Sequence, residues 1–492
     1  MNSQNWRYFC QIKRYFKQMV MRRRIFLVAM MLISGCTTLM AEGYKIKLKL
    51  TSAADSSVYL THYYDTNVYI KDTLLMDSRG YGVLEGDTLL PEGLYKIYMN
   101  ANRHFDVLLG KDQTMEITNP DFGLDHLQIK DAVESVEFLK YTHWLQQQQK
   151  KLSVLDSVFQ KAGKEEKDQI TKQIIDLTNQ VHQYWKQKSA EFPGTMLAVF
   201  LMANYVEDVK LDDIPEAYKA NDSLKWTYQY NFRKDHYFDH FDITDKRFIY
   251  TPLLKPKLEA YFDKVLLQLY DSVKPYAFKL IRKAQSEPLM FRYVASYLLN
   301  KSLNSNIMGM DALFVDIARE YYLSGQANWV DSASNAVIRE NVIFLENNLI
   351  GMQARNLRME TLDGLPYFLT QGKKKYTILV FYEPTCSHCK EFVPKLYNDI
   401  FLPYRDKGLD VVAIYNQNNR KEWTDFIDQH HMTDWINVWD EFHQSRFKII
   451  YDTRTTPAVF LLDADKKIIA KKFSIDFLKK YFGFHIDGKP MN

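Results

Sequence analysis

At 492 residues the chain is too long for one ordinary core, and a prior of roughly 100 to 200 residues per domain makes about three domains the expectation. Hydrophobic residues at 46% and charged residues at 25% are ordinary globular values, which argues against wholesale disorder and against multiple membrane spans. The net charge of +4 is small, and beyond a short N-terminal run basic and acidic side chains interleave, so no nucleic-acid partner is expected.

Arg22, Arg23 and Arg24 precede the apolar stretch Ile25 to Gly35, which has about the length of a signal-peptide core. It falls short of the roughly 20 residues a bilayer span needs, so residues 1–41 read as an export signal and not as a permanent anchor. The residues before Met21 are unusual for a signal, and translation starting at Met19 or Met21 would remove most of them. Two ends compete. Ile33-Ser34-Gly35-Cys36 resembles a lipobox, which would lipidate Cys36 and tie the protein to a membrane, whereas ordinary cleavage would follow Ala41. Either way the expected location is the periplasmic side of a cell envelope.

From Tyr44 the pattern is short and alternating. Tyr44-Lys45-Ile46-Lys47-Leu48-Lys49-Leu50 sends apolar side chains one way and lysines the other, as a half-buried strand does. Further strand patterns follow at Ser57 to His62, Val68 to Met76, Tyr81 to Leu84, Gly93 to Met99, His104 to Leu109 and Thr114 to Thr118. Short strands at this spacing predict an all-β sandwich over residues 42–120. After Asn119-Pro120 glycine becomes rare and runs of Gln, Lys, Glu and Leu begin, predicting an all-α domain over 121–345. Its candidate helices are Asp131 to Lys161, Lys164 to Ala190, Thr195 to Tyr205, Leu254 to Tyr270, Pro288 to Leu303, Met310 to Tyr322 and Asp331 to Asn347. Ile170, Ile174, Ile175, Leu177 and Val181 make an apolar stripe of the kind that packs one helix on its neighbours.

Residues 346–492 carry a different order. Tyr376 to Tyr382 is a β-branched and aromatic run suited to a central strand, followed by two cysteines and the amphipathic stretch Lys390 to Phe401. Asp410 to Tyr415 reads as a second strand, Lys421 to His430 as a helix, Ala458 to Asp463 and Lys467 to Lys472 as a hairpin-like pair, and Ile475 to Phe482 as a closing helix. The order βαβα then ββα is that of an α/β thioredoxin core.

The chain has four cysteines, Cys10, Cys36, Cys386 and Cys389. Maturation removes the first two or lipidates the second, leaving one closely spaced pair in an oxidising compartment. So short a loop gains least from being closed, which favours chemistry over a structural bridge.

The run Phe381-Tyr382-Glu383-Pro384-Thr385-Cys386-Ser387-His388-Cys389-Lys390 resembles the active-site loop of the thioredoxin-like superfamily. Thr455-Thr456-Pro457-Ala458-Val459-Phe460-Leu461-Leu462-Asp463 resembles the segment that holds that family's cis-proline, here Pro457. The preceding regions resemble the accessory domains of TlpA-related envelope proteins. This resemblance implies a thiol-disulfide oxidoreductase whose working group is the Cys386–Cys389 couple, with no other cofactor. Exported proteins would be its substrates, and a membrane electron donor its source of reducing equivalents. At a strand-to-helix junction the helix N-terminus favours an anion, so Cys386 is the expected nucleophile, with Cys389 one turn later placed to resolve the mixed disulfide.

Around this pair, Ser387 and His388 fill the intervening positions, and His388 offers electrostatic support to the Cys386 thiolate. Thr456 would present its backbone to an extended substrate, as the family's residue there does. Two departures stand out. Thr385 takes a place where many members have Trp, and Val380 stands where thioredoxin has a buried acid, a role for which Glu383 is the available substitute. His430, His431 and His443 share the domain with the pair, but without a second cysteine pair they do not make a structural zinc site, and no metal is expected. Reduction, isomerisation and oxidation all remain open, as does a binding or scaffold protein in which the pair is idle.

Overall fold

The computed structural model describes residues 43–490, so the export signal, Cys36 and the cleavage position lie outside the described residues. The chain divides into two compact units, one running to residue 198 without 64–67, the other comprising 64–67 and everything from 199 onward. The architecture is multidomain: N-terminal sheets, a central helical region and a C-terminal thioredoxin-like domain.

In the first unit, eight strands form two sheets. They are β1 (Tyr44–Lys49), β2 (Ser57–Tyr64), β3 (Asn67–Leu75), β4 (Tyr81–Gly86), β5 (Gly93–Asn100), β6 (Arg103–Leu109), β7 (Thr114–Thr118) and β8 (Gln128–Lys130). One sheet runs β4-β1-β7-β8 and the other β3-β2-β5-β6. β1 and β7 pair in parallel, a mixed feature within otherwise antiparallel ladders. The alternation read in β1 is realised as strict burial of Tyr44, Ile46 and Leu48 against exposed Lys45, Lys47 and Lys49. Those apolar side chains meet Leu60, Ile97 and Val107 of the other sheet in one core. The sandwich is followed by two long helices, Val133–Phe159 and Lys164–Glu191. Trp144 stacks on Tyr184 at 4.2 Å, and Lys188 bridges to Glu137 at 3.0 Å across the pair. Of the apolar stripe, Ile170 and Leu177 are buried, but Ile175 falls off the packed face and is exposed.

The second unit opens with the helical region, built around a core that includes Phe241, Leu258, Ile281, Val294 and Phe314. Helices Pro288–Leu303 and Met310–Ile317 fall where the sequence predicts them. The stretch read as one helix from Leu254 to Tyr270 stops at Val265 instead. There Gln268 Nε2 donates to the carbonyls of Phe262 and Leu266 at 2.6 and 2.8 Å, satisfying helix-end acceptors and releasing the chain. A new helix, Tyr270–Ala284, then begins and contains Pro275, whose presence hid it from propensity. Helix Asp222–His236 was also not expected; it has no fully buried residue and so no apolar stripe to read.

The C-terminal domain contains β9 (Arg358–Thr361), β10 (Pro366–Phe368), β11 (Tyr376–Tyr382), β12 (Leu409–Tyr415), β13 (Ile436–Trp439), β14 (Ala458–Leu462) and β15 (Ile468–Lys471). They form one sheet in the order β10-β9-β13-β12-β11-β14-β15. β11, β12 and β13 are parallel, while β14 runs antiparallel to β11 and β15 antiparallel to β14. Every residue of β11 is buried, as expected of a central strand covered on both faces. Val393, Leu396 and Leu478 cover one face, and Phe447 and Tyr451 help to cover the other. In this domain the strands missing from the sequence reading are β9, β10 and β13, which have only three or four residues each and lie toward one edge. In the sandwich the three-residue β8, inside the stretch read as all-α from 121, is missing as well.

Candidate functional site

The chemistry-bearing loop lies where β11 ends. Its backbone turns through a Cys386 N–H to Glu383 carbonyl bond of 3.1 Å, and helix Ser387–Leu396 starts with Cys386 as its N-cap residue. The helix therefore begins three residues earlier than the amphipathic pattern at Lys390 indicates. Polar Ser387 and His388 carry no hydrophobic signal, so the amphipathic pattern by itself misses this first turn. The first N–H groups of that turn, those of His388 and Cys389, favour an anion on the Cys386 sulfur.

Both cysteines are free thiols in unlike environments: Cys386 is partly exposed and Cys389 fully buried. Burial works against the Cys386 thiolate, yet it is outweighed by the Thr456 side chain, the Cys389 backbone and thiol, and the His388 backbone N–H. The net effect lowers its pKa below the ordinary thiol value. Burial pushes Cys389 the other way, up to about 12, only partly opposed by the Glu383 backbone N–H. One sulfur is thus prepared as a thiolate while its neighbour is kept protonated.

Opposite the helix, Thr456 and Pro457 precede β14, and their peptide bond is cis. The Cys386 thiol donates to the Thr456 carbonyl at 3.2 Å, so residues 70 positions apart in sequence meet across the site. His388 is exposed, and what it brings to Cys386 is its backbone N–H. Ser387 is exposed as well. Val380, where a buried acid would stand in thioredoxin, is wholly buried between Ala413 and Val459 on the flanking strands.

Glu383 is half-buried and held from a direction the sequence does not disclose. Asn416, just after β12 and 3% exposed, donates from Nδ2 to Glu383 Oε1 at 2.8 Å and accepts from Thr453 Oγ1 at 3.1 Å. Its backbone N–H also donates to the Tyr382 carbonyl at 3.0 Å. One buried amide therefore joins the cysteine loop to the segment that leads into Pro457. No motif marks Asn416, and its only sequence signal is a polar residue directly after the apolar run at 411–415. Tyr382, also beside Cys389, is deeply buried and has its pKa raised by that burial.

Among the described residues no group of three or more His, Cys, Asp or Glu is placed to hold a metal ion, and no helix is long and apolar enough to cross a membrane.

A family model described as thioredoxin-like matches residues 373–468, which contain both cysteines and Pro457, and the C-terminal domain belongs to the thioredoxin-like superfamily. That superfamily includes the thiol-disulfide oxidoreductases. A second model, a domain of unknown function (DUF5106), matches residues 161–348. Among solved structures the chain is similar to a thioredoxin-like protein from Bacteroides caccae, at 19% identity over 57% of this chain and 100% of that one, TM-score 0.45. It is also similar to a domain of a possible thiol-disulfide isomerase from Cytophaga hutchinsonii, at 36% identity over 28% of this chain and 95% of that one, TM-score 0.27. The thioredoxin domain of a thiol-disulfide oxidoreductase from Bacteroides vulgatus shows 22% identity over 27% of this chain and 96% of that one, TM-score 0.25. No curated protein matches.

Proposed function

We propose that the protein is a thiol-disulfide oxidoreductase of the cell envelope that reduces or isomerises disulfides in exported proteins. The observation that carries this reading is the division of labour between the two thiols, an accessible one with a lowered pKa and a buried one held near 12.

In the reductive direction the Cys386 thiolate attacks one sulfur of a substrate disulfide. The substrate S–S bond breaks, a Cys386–substrate mixed disulfide forms, and the departing substrate thiolate takes up a proton. Cys389 then gives up its proton and attacks the Cys386 sulfur, releasing the second substrate thiol. Two electrons have passed to the substrate, and the enzyme is left as the Cys386–Cys389 disulfide. A dithiol donor must reduce it again, and a membrane protein exposing such a dithiol is the proposed source. Because Val380 is apolar, Glu383 is the loop carboxylate available to receive the Cys389 proton, with Asn416 fixing its orientation.

The signal-like segment 1–41 supports export, with Cys36 a candidate lipid anchor. The test is reduction of insulin by the mature chain with a dithiol donor, alongside the Cys386→Ser and Cys389→Ser variants. Loss of turnover in the first and capture of mixed disulfides by the second are expected; full activity of Cys386→Ser would overturn the assignment.

A further inference from the structure

Beside the cysteine site lies a cleft of about 600 Å³, one wall of which comes from the helical region. That size is within the range of ligand sites. The helical wall is the link between helices Pro288–Leu303 and Met310–Ile317, including Asn304 and Asn306, and it turns at Gly309, whose φ of +86° favours glycine. The opposite wall is Asp452, Arg454 and Thr455, leading directly into Thr456, with Lys471 and Lys472 at the end of β15. The Lys472 N–H donates to the Val459 carbonyl at 3.1 Å, which sets that end of β15 beside the first residues after Pro457.

Fixed polar contacts hold the two walls together. The buried Lys471 ammonium pairs with Asp311 from the helical side and donates to Asn348 Oδ1 at 2.7 Å. Asn348 in turn donates to the Ile450 carbonyl at 2.8 Å. Arg454 forks onto Asp452 at 2.6 and 3.1 Å, donates to Asn341 Oδ1 at 2.9 Å and lies 4.2 Å over the Phe344 ring. Asp311 and Asp452 are thereby matched with Lys471 and Arg454. Lys472, exposed, has no ion pair among the described residues, so the cleft presents one unmatched positive charge.

We infer that this cleft receives the polypeptide flanking the substrate disulfide and selects segments carrying a carboxylate near the cysteine under attack. The inference rests on the redox reading above and deepens it: the helical region supplies one wall of the substrate site, and Lys472 supplies its charge preference. Asn304 and Asn306 offer side-chain amides to the segment's backbone.

The test compares kcat/KM for two disulfide-bonded peptides identical but for Asp or Lys beside the cysteines, with the full mature chain, the Lys472→Glu variant and the Asn306→Asp variant. Each enzyme is read by its own Asp-to-Lys ratio, which cancels any general change in dithiol reactivity. The wild type should favour the Asp peptide about fivefold at low salt and less at high salt. Lys472→Glu should reverse the preference, and Asn306→Asp, acting from the helical wall, should reduce it. A wild-type ratio near one, or a preference that survives Lys472→Glu, would overturn the inference while leaving the redox reading intact. Hydroxyethyl disulfide, neutral and too small to fill the cleft, separates the two. If the wild type cannot reduce it, the redox reading itself fails, and the cleft assignment with it.

Discussion

The N-terminal sandwich and the C-terminal sheet bury their strands in opposite ways. In β1 every second residue faces water, whereas β11 is buried along its whole length. A sheet wet on one face can stabilise itself through its core but presents only side chains on a flat surface. Parallel strands covered on both faces leave their ends as the exposed positions, and there the backbone must turn into a helix whose N–H groups are unpaired. Cys386 occupies that position, with the Pro457 segment brought alongside by an antiparallel neighbour, β14. The difference teaches that reactivity follows from how a strand ends, and stability from what its sides bury.

Replacing Cys386 by Ser should sharpen the contrast most. We expect a loss of about 10³-fold or more in insulin reduction, equivalent to roughly 4 kcal/mol of barrier, with an unfolding midpoint close to that of the wild type. Leu48→Ala in the sandwich is its counterpart: the side chain is 1% exposed, so the first unit should lose about 3 kcal/mol of stability in urea unfolding. A negligible shift would mean that this core relaxes around the gap.

Lys471→Met strands Asp311 without its cation in a nearly buried setting and should cost about 3 kcal/mol, most of it recovered in the double variant with Asp311→Leu. If the single variant is as stable as the wild type, the pair does not hold the walls of the cleft together. Asn416→Leu removes both side-chain hydrogen bonds that join the cysteine loop to Thr453, with an expected cost of about 1–3 kcal/mol. It should also raise the pH at which Cys386 is alkylated by iodoacetamide. The sign follows from the thiolate being the reactive form: a lowered pKa brings the rise in rate to lower pH, and loosening the groups that favour the thiolate moves it back up. In the Cys386→Ser background burial still holds the Cys389 thiol above the ordinary range, but the contribution of the Cys386 sulfur is gone. Alkylation of Cys389 should therefore rise at a pH above that of a free thiol and below that of the wild-type pair.

The smallest effect is expected from His388→Ala. Its backbone N–H remains after substitution, so the alkylation midpoint should barely move; a clear upward shift would restore the imidazole to an electrostatic role.

Much of this architecture is local and therefore readable. Alternation in Tyr44–Lys49, the apolar run of Tyr376–Tyr382 and the proline-started helix Pro288–Leu303 each follow from a few neighbouring residues, and their bounds differ little from those read in the sequence. The spacing of Cys386 and Cys389 is likewise a sequence fact whose chemical meaning needs only a strand before it and a helix after it. Elements with weak local signal escaped: β13 is four residues among polar neighbours, and helix Tyr270–Ala284 contains Pro275.

What the sequence determined by itself was the order of the regions and the presence of a closely spaced cysteine pair after a buried strand, because periodicity and spacing are properties of adjacent residues. Tertiary structure alone decided which distant groups surround that pair. Asn416 reaches Glu383 across 33 positions, Thr456 reaches Cys386 across 70 and Lys471 reaches Asn348 across 123, and none of these meetings leaves a local trace. A buried polar group must find its partner wherever the packed chain places one, and that requirement acts only after the chain has folded.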